Sequence, residues 1–106
     1  MPKYLFQASF SVEGVKGLLK EGGTSRRAHI EQLVKGMGGS LEAFYFAFGG
    51  DDVVVIAELP DDATAAAISL AVGAGGAVGI KTTVLIPPGT MDQATKKTVG
   101  YRPPGQ

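Results

Sequence analysis

The stretch Leu41-Glu42-Ala43-Phe44-Tyr45-Phe46-Ala47-Phe48-Gly49-Gly50-Asp51-Asp52-Val53-Val54-Val55-Ile56-Ala57-Glu58-Leu59-Pro60 decides how the rest of the chain is arranged. Its first half is rich in aromatic side chains, which suit a pleated surface. Its second half holds the run Val53 to Ala57 and is ended by Pro60. Gly49-Gly50-Asp51-Asp52 is a tight connection of the kind that joins hairpin strands. Two paired strands are expected, Leu41 to Phe48 and Asp52 to Leu59. Neither shows the apolar/polar alternation of a sheet with one wet face. Val53 to Ala57 is apolar on both faces. Simple alternation from Leu41 to Phe48 puts Leu41, Ala43, Tyr45 and Ala47 on one side and Phe44, Phe46 and Phe48 on the other.

Upstream, Lys3 to Ser11 alternates, with Tyr4, Phe6, Ala8 and Phe10 on one face, and predicts a strand. Ser11 to Glu21 predicts a short helical turn, broken by Gly22-Gly23. Thr24 or Ser25 offers an N-cap for a helix carrying Ile30, Leu33, Val34 and Met37 on one stripe and ending at Gly38-Gly39. Downstream, Asp61 or Asp62 caps a helix from Ala63 to about Ala74, and Val78 to Ile86 alternates as a last strand before Pro87-Pro88-Gly89. The order strand, helix, strand, strand, helix, strand predicts an α+β, ferredoxin-like βαββαβ fold: a four-stranded antiparallel sheet with helices on one face. The expected organisation is a domain over residues 1–88 and a tail over residues 89–106, with a short helix from Met91 to Val99.

The chain has 106 residues, enough for one domain. Ten basic and ten acidic side chains cancel, so the electrostatic footprint of a nucleic-acid or membrane-surface binder is missing. There is no cysteine, which excludes disulfides, thiolate nucleophiles and Cys-ligated metal. The single histidine excludes a one-chain site built on two imidazoles. No cofactor and no metal site is expected. Met1 to Gln7 has no apolar run of signal-peptide length, and a cytoplasmic protein is the expectation.

Two helices cover one sheet face. An apolar second face of several hundred Å² would be an aggregation hazard, so a homodimer formed sheet against sheet, in the manner of a dimeric α/β barrel, is expected. The alternative is a monomer whose second face is covered by the Ser11–Glu21 segment and the tail. Arg26 and Arg27 precede Ile30 by four and three residues and lean toward its side of the helix. Either would suit an anionic group; the plainer role for Arg27 is an ion pair with Glu31. His29 has the chemistry of an acid/base catalyst, against the plainer role of a solvated surface side chain. Tyr45 would offer its hydroxyl to a ligand inside a dimer barrel or pack at its rim. Gln7 and Ser9 share one face of the first strand, and Lys81 and Thr83 one face of the last.

The ordered set of Lys3-Tyr4-Leu5-Phe6, Arg27, Gly38-Gly39, Phe44-Tyr45-Phe46 running into Gly49, Val53 to Ile56 before Pro60-Asp61-Asp62, and the alanine-rich second helix resembles the GYD-domain family, small relatives of the dimeric α/β-barrel proteins. The resemblance covers about Lys3 to Ile86. One departure stands out: Asp51 occupies the place of the family's tyrosine, and Asp52 matches its Asp. The resemblance implies a ferredoxin-like subunit that pairs through its sheet. The expected function is a small-ligand-binding homodimer with no evident catalytic constellation, taking a small hydrophobic or anionic ligand, with Arg27, Tyr45 and Asp52 as candidate ligand-binding residues. The alternative is a cofactor-independent enzyme of oxygenase or isomerase type acting on a hydrophobic molecule, with His29 as its candidate catalytic residue.

Overall fold

Strands β1 (Lys3–Phe10), β2 (Ser40–Phe46), β3 (Val53–Glu58) and β4 (Val78–Leu85) form one antiparallel sheet in the order β2-β3-β1-β4 in the computed structural model, which describes residues 1–106. Four helices accompany it: α1 (Val12–Glu21), α2 (Gly23–Gly36), α3 (Asp62–Ala74) and α4 (Pro88–Thr95). Without α1 and α4, the order is the expected ferredoxin-like one. The register places Phe6 opposite Val55 on one side and Thr82 on the other. Side chains of Tyr4, Phe6, Val53, Val55 and Ala57 therefore share the face that α2 and α3 cover, and all five are buried. Along β3, buried positions alternate with half-buried ones, and Val54 and Ile56 lie on the opposite, open face.

Tyr4 anchors α3 to the sheet. Only 1% exposed, it donates its hydroxyl hydrogen to Asp62 Oδ1 at 2.6 Å. That hydrogen bond, with burial and the nearby carboxylates of Asp62 and Asp61, pushes the phenol up to about 12. Asp61 is the N-cap of α3, accepting from the Thr64 N–H at 2.8 Å and the Thr64 hydroxyl at 2.7 Å, which holds its carboxyl below the usual range.

Four local expectations need correction. The segment after β1 is a full ten-residue helix, not a single turn, because Ser11 caps it by accepting from the Gly14 N–H at 3.2 Å. The N-cap of α2 is Gly22, with φ 85°, not Thr24 or Ser25. The two helices meet with no connecting loop, so the left-handed Gly22 both ends α1 and begins α2. The tail helix runs from Pro88 to Thr95, earlier than Met91–Val99, since a proline with no amide hydrogen suits a first helical position. Finally, a bulge between Leu41 and Ala43 sets Leu41 opposite Ala57. Leu41 thus joins Phe44 and Phe46 on the helix face, while Ala43 and Tyr45 face the open side. Phe48 lies beyond the end of β2, fully exposed in the β2–β3 loop.

Gly39 follows the left-handed Gly38 and passes the end of β3 so closely that a Cβ there would overlap the Glu58 carbonyl oxygen. Gly17, inside α1, faces open space. Gly39→Ala is expected to destabilise by about 1–3 kcal/mol, and Gly17→Ala to stabilise by about 0.5–1 kcal/mol, in urea denaturation. A second expectation concerns pH. The phenol of Tyr4 ionises near 10.0 when unfolded and near 12 when folded. Its contribution is complete below about pH 10 and is lost as pH rises through 10 toward 12. Tyr4→Phe should flatten that part of the stability–pH curve relative to the parent protein.

Candidate functional site

Helix α2 packs on β2 and α3 packs on β4. Between them the central strands β1 and β3 are left as a floor. Between α2 and α3 remains an apolar cleft, open at its mouth, with about 60 Å³ of free space. Phe6, Ala8, Val53 and Val55 form its floor; Ile30 and Leu33 of α2 and Ile68 and Val72 of α3 form its walls. Of 14 lining residues 13 are apolar, and the remaining one is Arg26. Arg26 in the first turn of α2, Phe10 at the end of β1, Val72 near the end of α3 and Val78 at the start of β4 gather at one end of the layer.

Glycines put Arg26 there. Gly22 turns the chain out of α1, and Gly23 lacks the Cβ that would collide with the Phe46 ring. The start of α2 therefore sits against β2, and its first turn brings Arg26 to the cleft. Its neighbour behaves differently: Arg27 is exposed and pairs with Glu31 at 3.7 Å.

The remaining sequence candidates occupy separate places. His29 is exposed on α2 and does not line the cleft. Tyr45, opposite Val54 and 69% exposed, stands on the open face of the sheet, across the sheet from α2. Asp52 accepts from the Phe10 N–H at 2.8 Å and donates its own N–H to the Ala8 carbonyl at 2.8 Å, tying the β2–β3 loop to β1. Arg27, His29, Tyr45 and Asp52 are not brought together.

What the fold does gather is a polar group around Asp51. This carboxylate accepts from Gln7 Nε2 at 3.2 Å and Ser9 Oγ at 3.4 Å, and pairs with Lys81 Nζ at 3.4 Å. Gln7, Ser9 and Lys81 come from two strands and share the open face. Between them and the Lys3–Glu42 pair (2.6 Å) at the other end lies an apolar middle of Leu5, Val54, Ile56 and Ala43.

The match that places the chain among known proteins is to the GYD domain, over residues 4–95, from Tyr4 in β1 to Thr95 at the end of α4. The chain belongs to the GYD-domain family. No curated protein and no solved structure matches it. In this GYD domain the departure at Asp51 is the hub of the open-face polar group. No helix is long and apolar enough to cross a membrane.

Sequence reading missed the cleft. Its lining comes from six elements, β1, α2, β2, β3, α3 and β4, so no local pattern in the residues marks it.

Proposed function

We propose that this GYD-domain protein is a small-ligand-binding homodimer, holding an apolar ligand in the cleft between α2 and α3. The lining of the cleft carries the reading: an open-mouthed depression walled almost wholly by apolar side chains, with one polar group at its end. It lies on the helix side of the sheet, away from the sheet-to-sheet interior that the sequence suggested for a pocket.

Three observations support pairing through the open face. Only ten of 106 residues are buried, a thin core for a chain of this length. Neither α1 nor the tail covers Leu5, Val54 and Ile56: α1 docks on the α3–β4 turn, where Ser11 N–H donates to the Ala77 carbonyl at 2.9 Å, and every residue from 86 to 106 is exposed. The radius of gyration is 16.9 Å, against about 13 Å for a compact chain of this length. An eight-residue helix standing free in water is below the length at which helices persist. A second copy would bury both features. Four strands of six to eight residues present roughly 500 Å² in plan, and the arm adds to this toward the roughly 800 Å² per partner of a standard interface.

Native mass spectrometry should find twice 10.9 kDa. A 10.9 kDa species alone at micromolar concentration would overturn the pairing. For the cleft, titration with neutral 1-octanol should move the amide resonances of Ala8, Ile30 and Val72. Ala8→Leu, which fills the floor, should abolish those shifts, and shifts that survive it would sink the assignment.

A further inference from the structure

Two arginines stand side by side at the start of α2, and only one has a partner. Arg27 is held by Glu31. Arg26 makes no ion pair and no side-chain hydrogen bond, although it is half-buried and lines the cleft. Two carboxylates, Glu13 and Glu21, share with it the adjoining depression beside α1. Both look elsewhere: Glu13 pairs with Lys16 at 3.7 Å, and Glu21 accepts from Ser25 Oγ at 3.4 Å. A half-buried guanidinium is a planar fork of donors whose best complement is a carboxylate accepting two parallel bonds. Everything else lining the cleft is apolar and would be satisfied by hydrocarbon.

We infer that the cleft takes a hydrophobic monocarboxylate, its hydrocarbon between α2 and α3 and its carboxylate on the Arg26 guanidinium. This rests on the cleft reading above and adds to it the charge of the ligand. A neutral apolar molecule would fill the same space and leave the guanidinium unmatched. A dianion would bring a second charge to a site with one cation. The guanidinium stands at the Phe10–Val78 end, where the cleft adjoins the depression beside α1, so the hydrocarbon is the part that lies deepest.

The test compares octanoate with 1-octanol, which share one chain length and differ in the head group. Each is titrated by amide chemical shift into the parent protein and into Arg26→Met, a replacement of similar length and good helix propensity. The parent protein should prefer octanoate about tenfold, the scale of one charge-assisted hydrogen-bonded pair. In Arg26→Met the preference should fall to about one. Equal affinities in the parent protein, or a preference that survives in Arg26→Met, would overturn the charge assignment while leaving the cleft reading intact. If neither probe shifts Ala8 and Val72, the cleft reading falls and this inference falls with it. Matching thermal midpoints for the two proteins establish that the variant is folded. Arg27→Met serves as the internal comparison: it removes a cation one position away that is already paired, and it should retain the tenfold preference.

Discussion

Strand β3 is apolar on both of its faces, and the larger features of the molecule follow from that. A central strand with Val53, Val55 and Ala57 on one side and Val54 and Ile56 on the other needs cover twice. Two helices supply cover once. The helix side closes over Tyr4, Phe6 and the inward valines, with Tyr4 reaching through to Asp62 to hold α3 at its first turn. The other side stays open, with charged pairs at its ends and hydrocarbon between them. The chain is neutral overall, so no long-range repulsion opposes two such faces meeting.

The two helices do not match each other. Helix α2 brings Ile30, Leu33 and Val34 to the sheet, while α3 brings Ala65, Ile68 and Val72. Close packing demands that such a difference be absorbed by helix movement or left as space. The Asp61 cap and the Tyr4–Asp62 bond fix one end of α3. Ser69, bonded to the hydroxyl of Thr82, ties its middle to β4. Held in this way, α3 does not lean toward α2, and the cleft remains. The cleft is thus an ordinary packing inequality, with Arg26 placed at its end by the Gly22-Gly23 corner.

Most of the fold was legible in the residues. Period-2 alternation located β1 and β4, Gly49-Gly50-Asp51-Asp52 located the turn between β2 and β3, and the Asp61-Asp62 pair announced the start of α3. These signals are local: each depends on side chains within a few positions of one another. The errors were local signals overruled by neighbours. Thr24 and Ser25 are good caps, yet the corner at Gly22 begins the helix before them. Leu41 alternates with Tyr45 in sequence, yet a bulge turns it to the other face, opposite the buried Ala57, where it packs against the core.

Strand positions, the two-sided apolar character of β3 and the charge balance are properties of the residue order, since each is set by composition and short-range spacing. The cleft, the separation of Arg26 from Arg27 and the gathering of Gln7, Ser9 and Lys81 around Asp51 are not. They join residues as much as 74 positions apart (Gln7 and Lys81), across strands whose pairing is a long-range choice. Arg26 and Arg27 are the same residue type one step apart, and a helix turns 100° in that step. Which of them meets Glu31 and which meets hydrocarbon depends on how α2 is rotated against the sheet. That rotation is set by the packing of Ile30, Leu33 and Val34 on the sheet, whose strands meet only in the folded chain.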